Sequence, residues 1–249
     1  MATMAQQAFD RLADRYDEIW SLASSGLHQR HAFWKNVRPL FQSGENILDI
    51  GCGTGVDALF MMATGIGVEA VDASPEMVRV ARAKGVAASW LTVEDLSQLT
   101  GTYDGAMSNF GVLNCVADLA GVAASLAQLI RPGGHVALCL MGAFCLWETC
   151  HFLRSGQFRK AVRRWRRGPS GTSMGIEVRY PAVQTIARAF QPYFRLKCWQ
   201  GIGICVPPSY VSGLSHRTVN QLAAVDAGVS AWPLLRALSD HRLVVFVRL

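Results

Sequence analysis

Residues 47–55, ILDIGCGTG, constrain this chain more than any other stretch, because an apolar run of strand character passes directly into three glycines within five residues. Glycine enters backbone conformations closed to other residues and lets a ligand approach the main chain. Around this turn the chain keeps a regular rhythm. Short apolar strands at 46–50, 67–71, 86–91, 104–108 and 135–141 alternate with helical segments at 55–64, 75–83 and 117–130. Strand, helix, strand at this spacing predicts a parallel, doubly wound sheet with right-handed crossovers. The punctuation agrees: Gly65 ends one helix, Ser74 and Pro75 open the next as N-cap and first residue, and RPGG at 131–134 turns into the fifth strand.

Outside this core the pattern changes. Phe9, Leu12, Tyr16 and Ile19 or Trp20 follow helical spacing, so residues 8–20 read as an amphipathic helix, with a second helix over 28–40. Beyond Gly142, residues 144–167 read as one helical insertion, 181–190 as a helix, 194–204 as a strand, 208–238 as mostly helical and 241–248 as a last strand. The expected fold class is α/β, with a mostly parallel seven-stranded sheet. We expect one domain over 1–249, made of cap helices at 1–42, a core at 43–142, a helical lid at 143–192 and closing strands at 193–249.

The first twenty residues mix acids and bases with no apolar signal region, and the longest apolar run, 136–147, is too short for a bilayer. Seven cysteines without CxxC or metal-ligand spacing read as reduced thiols. These features predict a cytoplasmic protein without a metal site.

The ligand can be read from the turn. A dinucleotide fingerprint would place its third glycine at position 56, which is Val56, whereas here it falls at Gly55. Asp49, two residues before Gly51, would repel a pyrophosphate and attract an ammonium group. NAD and NADP are therefore excluded. Asp72, at the end of the second strand, suits the two hydroxyls of a ribose. Together these features call for a nucleoside with a cationic tail and no phosphate, a description that fits S-adenosylmethionine.

The stretches AFDRLADRYDEIW, ILDIGCGTG, VEAVDASPEMVRVARAKG, YDGAMSNFGVLNCVADL and LIRPGGHVALCL, over roughly residues 8–142, resemble the class I S-adenosylmethionine-dependent methyltransferases, which have a Rossmann-like fold. The resemblance implies that Gly51, Gly53 and Gly55 form a floor under the cofactor, that Asp49 orients its ammonium group and that Asp72 takes its ribose. It also implies that Ala73, Ser74 and Met77 lie near the adenine, Asn109 and Phe110 line the methionine end, and Tyr16 closes over it. Where relatives carry an acid at the end of the third strand this chain has Thr92, so Glu94 is the adenine contact expected from that region. The product is S-adenosylhomocysteine.

No Asn/Asp-Pro-Pro-aromatic motif follows the fourth strand, where the chain reads SNFG, and no nucleophilic Pro-Cys or Thr-Cys pair is present. These absences argue against DNA and make RNA a weak candidate. The expected acceptor is a small, largely apolar and possibly acidic molecule, methylated at oxygen. Trp147, Arg179, Tyr180 and Tyr210 are candidate acceptor contacts, with Glu148 or His151 as candidate general base. The formal charge of +6 is concentrated in residues 154–167, which carry seven Lys or Arg within fourteen positions. That basic, partly apolar segment suits a lid, an anionic membrane, an acidic partner or a solvated face. Two other functions stay open: a membrane-surface lipid or peptide methyltransferase, and a non-catalytic cofactor-binding module. The sequence leaves the oligomeric state open.

Overall fold

A computed structural model describes residues 4–21, 23–165, 168–172, 175–211 and 213–249. Its centre is a seven-stranded sheet in the order β3-β2-β1-β4-β5-β9-β8. The strands are β1 (Asn46–Ile50), β2 (Gly67–Asp72), β3 (Ala87–Trp90), β4 (Tyr103–Ser108), β5 (Ile130–Met141), β8 (Phe194–Ile202) and β9 (His241–Arg248). The first five run parallel, and β9 is antiparallel to both β5 and β8. The chain steps outward from β1 to β2 and β3, then returns to β4 on the other side of β1. That reversal leaves a crevice above the carboxyl ends of β1 and β4.

Helices cover both faces. On one, α2 (Ser24–Val37), α3 (Val56–Ala63) and α4 (Pro75–Ala83) bury Phe33, Val37, Ala58, Met61, Val78 and Ala81 against Ile47, Ala70 and Met107. On the other, α5 (Leu119–Leu129) and α8 (Val183–Phe190) pack Leu126, Ile186 and Phe190 on Leu48, Ile50, Leu138 and Phe246. A strand covered on both faces has no polar side, which is why β1 is buried at Ile47, Leu48, Asp49 and Ile50 alike.

The N-terminal segment departs from the single helix expected over 8–20. It forms α1 (Met4–Asp10), a 3₁₀ turn at Ala13–Arg15 and a π-type turn at Asp17–Ser21. The bends follow three acids drawn to separate partners on the core. Asp10 accepts from Ser74 Oγ at 2.5 Å, Asp14 pairs with Arg79 at 2.5 Å, and Asp17 accepts from Thr54 Oγ1 at 2.5 Å and pairs with Lys84.

The insertion after β5 is also broken up. It forms α6 (Leu146–Arg154), α7 (Phe158–Ala161) and a 3₁₀ turn at Arg163–Trp165, because Gly156 adopts a left-handed φ of 67° that ends α6. A two-stranded hairpin, β6 (Ser170–Gly171) and β7 (Glu177–Val178), follows it. In the region expected to be mostly helical, α9 (His216–Val229) begins at its Ser215 N-cap, beyond Pro207 and Pro208.

Candidate active site

The turn from β1 into α3 uses its glycines in different ways. Gly53 has a φ of 54°, and a β-carbon there would meet nothing within 4 Å, so it faces open cavity. Gly55, at φ 81°, sits against Val86 and Ala81, where a β-carbon would come within 2.9 Å. Gly55 thus permits close packing of the turn on α4, and it does not line the cavity, a correction to its expected place in the floor. Gly51 does line it, with Val112 close above.

The cavity measures about 460 Å³. Gly51, Gly53, Asp72, Ala73, Ser74 and Met77 form one wall, and residues 91–94 with Asn109, Phe110, Gly111 and Val112 form the other. Tyr16 and Phe9 reach in from the N-terminal segment. Eleven residues expected here are thus placed by the fold as follows: Tyr16, Gly51, Gly53, Asp72, Ala73, Ser74, Met77, Glu94, Asn109 and Phe110 line the cavity, and Asp49 lies beneath the turn.

Asp72 is committed to backbone on both oxygens. Its Oδ2 accepts from Gly53 N and its Oδ1 from Ser74 N, each at 2.8 Å. Burial pushes its pKa up, and these two hydrogen bonds offset part of the rise. Each oxygen keeps a lone pair for a further donor. Asp49 is 1% exposed, and its Oδ2 has no hydrogen-bond partner among the described residues. Burial, then the neighbouring Asp57 charge, drive its pKa well above the usual range. An orphaned buried carboxylate under a glycine floor fits a cationic ligand above it.

Asp57 anchors Asn109 from behind. It accepts from Trp34 Nε1 at 2.6 Å and Asn109 Nδ2 at 3.0 Å, and pairs with the buried Arg30. Phe110, at φ 49°, holds its ring 4.9 Å from the Arg30 guanidinium and 5.1 Å from the His241 ring.

The candidate acceptor residues gather elsewhere. Glu148 is buried and receives Arg163 through two bonds of 2.8 Å, Arg164 at 2.8 Å and Tyr210 Oη at 2.6 Å. Burial favours its neutral form, yet the two arginines hold its pKa at about 2. A carboxylate so depressed and enclosed is a poor proton acceptor, which corrects its expected role as base. His151 packs beside Phe152 and Tyr210 in the same group, outside the cavity. Trp147 donates to Cys205 O at 2.9 Å, and the Arg164 guanidinium lies 5.3 Å over the Tyr180 ring. Arg179 sits beside Asn114, its N–H donating to that carbonyl at 2.7 Å. None of these six lines the cavity.

The roof was missed. Met4, Ala5 and Gln6 of α1, and Gly175, Ile176 and Glu177 of the hairpin, close the cavity, joined through a small cluster of Ala8, Phe9, Ile176 and Val178. No periodicity marks a two-residue strand, so the hairpin had no sequence signal. The lining carries three acids, Asp72, Glu94 and Glu177, and no Lys, Arg or His among the described residues. An acidic acceptor, which the sequence left possible, would meet only like charge here. Arg166 and Arg167 of the basic run lie outside the described residues.

A seven-stranded doubly wound sheet whose Gly-rich switch-point turn faces an acid at the end of β2 is the Rossmann-like methyltransferase fold. The profile of the family described as "Methyltransferase domain" matches residues 5–193, and the chain belongs to that family, the class I S-adenosylmethionine-dependent methyltransferases. Its cofactor is S-adenosylmethionine. A demethylmenaquinone methyltransferase of Tropheryma whipplei is 30% identical over 141 residues, covering 54% of this chain and 57% of that protein. A ubiquinone biosynthesis O-methyltransferase of Xanthomonas oryzae pv. oryzae is 36% identical over 103 residues, covering 39% and 43%. The chain thus spans about half the length of the curated relatives it matches. An S-adenosylmethionine-dependent methyltransferase of Mesorhizobium loti shares the fold, with a TM-score of 0.63 and 21% identity, over 87% of this chain and 98% of that one. Among the described residues no helix is long and apolar enough to cross a membrane.

Proposed function

We propose that the protein methylates a small, uncharged, largely apolar aromatic acceptor at a phenolic oxygen, in the cytoplasm. The observation that carries this reading is the cavity itself: floored by glycine, roofed by Phe9, Ile176 and Met4, and lined by carboxylates with no cation among the described residues. The relatives named for quinone biosynthesis support an aromatic acceptor, and one of them is named as an O-methyltransferase.

In this reading Asp72 receives the ribose hydroxyls, Asp49 faces the ammonium group, and Ala73, Ser74, Met77 and Glu94 surround the adenine. Asn109, Phe110 and Tyr16 hold the methionine end. Bound there, S-adenosylmethionine supplies an electrophilic methyl on its sulfonium. The phenolic proton would leave to water first, and the phenolate oxygen would then take that methyl as the sulfur–carbon bond breaks, giving a methyl ether and a thioether. The chain's task is alignment and exclusion of water by the roof. With Glu148 held by arginines and His151 outside the cavity, no side-chain base is assigned, and the acceptor reacts as its phenolate.

The test is turnover of S-adenosylmethionine with 1,4-naphthohydroquinone, catechol and an anionic benzoate as competing probes. Methyl ethers of the neutral phenols support the reading. Preference for the benzoate overturns it, as does methylation at ring carbon alone. Tight cofactor binding with no turnover of any phenol points instead to a non-catalytic module. If the phenolate is the reacting form, kcat/KM rises with pH through each acceptor's own pKa, so exchanging one phenol for a more acidic one moves the profile to lower pH by the difference between them.

A further inference from the structure

Between Glu148 and Glu177 the chain has 28 residues with seven Lys or Arg and no acid. The five of those cations that lie among the described residues are of two kinds. Arg163 and Arg164 turn inward to Glu148, and Arg164 reaches Asp240 at 2.7 Å. Arg154, Arg159 and Lys160 stay exposed, with no carboxylate partner among the described residues. The same face holds large apolar side chains in water: Phe158 is 66% exposed, Trp165 52%, Leu153 45% and Leu146 40%.

These groups are held together. Leu146, Cys150, Leu153 and Arg154 repeat at i, i+4, i+7 and i+8, the exposed stripe of α6. Trp165 stacks on Phe144 at 5.8 Å, beside the start of α6, and Gln157 N donates to Phe152 O at 2.8 Å, folding α7 back against its end. Large apolar side chains gathered on one exposed segment mark an interaction surface.

We propose that this face, from Leu146 to Trp165, docks on an anionic lipid bilayer, from which the acceptor enters the cavity. The inference rests on the apolar acceptor proposed above and names where it resides. Apolar side chains interleaved with unpaired cations are the pattern of an interfacial segment, with the rings in the headgroup boundary and the cations against lipid phosphate. The segment also borders the site in the chain: it leaves from the carboxyl edge of β5 and precedes the hairpin region whose Gly175, Ile176 and Glu177 line the cavity.

The experiment is flotation of the full chain with phosphatidylglycerol–phosphatidylcholine vesicles and with phosphatidylcholine vesicles alone, at low and at high salt. The wild type is expected to float with the anionic vesicles, at least tenfold less with the neutral ones and less at high salt. Phe158→Ser with Trp165→Ser, and separately Arg154→Glu with Arg159→Glu and Lys160→Glu, should each reduce flotation at least tenfold. Calorimetric S-adenosylmethionine affinity and turnover of soluble 1,4-naphthohydroquinone should stay within twofold of wild type, which also shows that both variants fold. A wild type left at the bottom of the gradient overturns the proposal, and so does a Phe158/Trp165 variant that floats unchanged. Capture by polyglutamate without flotation makes the face a protein surface and also overturns it. Failure of the acceptor reading appears separately, as absent turnover of soluble phenols whatever the vesicle result.

Discussion

At the scale of single residues, Asp72 and Gly53 bear most of the cofactor reading. Asp72→Ala removes the acceptor of the Gly53 and Ser74 amides as well as the ribose contact, and hydrogen bonds to a charged group are worth about 1.5 to 3 kcal/mol each. Its S-adenosylmethionine affinity by calorimetry is expected to fall at least tenfold. Gly53→Val fills open cavity at a positive φ and should abolish binding; wild-type affinity in either variant rejects the site. Glu148 makes a different forecast. Its pKa lies near 2 in the fold, below the ordinary glutamate value of 4.5, so its pairing stabilises the protein above pH 4.5 and is lost as pH falls through 2. Glu148→Gln leaves Arg163 and Arg164 short of an anion and should destabilise by about 3 to 5 kcal/mol at pH 7 in urea unfolding, with the deficit shrinking toward pH 2. Residues fixed by the Gly-rich turn and the ends of β2 and β4 were legible in the sequence, since position in a doubly wound sheet determines what they face. Glu148 was not, because its charge partners lie 15 and 16 residues on and its hydroxyl donor 62 residues on.

At the scale of elements, the sequence located the helices and strands whose period was long enough to read. The bounds of α4 and β9 coincide with the expected 75–83 and 241–248. The pieces that close the site escaped it. Residues 8–20 carry one helical period, but Asp10, Asp14 and Asp17 each bind the core, and those tertiary bonds bend the segment into three short turns. The result is a strap over the cofactor cavity, through Phe9 and Tyr16. A bound cofactor should therefore slow tryptic cleavage at Arg11 and Arg15 at least fivefold, as read by mass spectrometry with and without S-adenosylhomocysteine. Equal cleavage rates would show that the strap does not close on the ligand.

At the scale of the whole molecule, ligand that binds only the folded chain raises its stability by about 2.7 kcal/mol at one hundred times Kd. For a chain of this size that is a rise of about 5 to 11 °C in Tm, expected with S-adenosylhomocysteine and not with NAD at equal concentration. The strand order has a further consequence. β9 follows β5 and β8 in the chain, yet it lies between them and pairs with both. Synthesis from the amino end therefore completes β8 before the strand it must pair with exists, and Arg164 leaves the ribosome long before Asp240. Until residue 248 has emerged, the nascent chain carries an unpaired β5 edge, an unattached β8 and a basic apolar segment without its anchor. This half of the protein can only finish folding once β9 has left the ribosome, and until then it depends on whatever shields exposed strand edges in the cell.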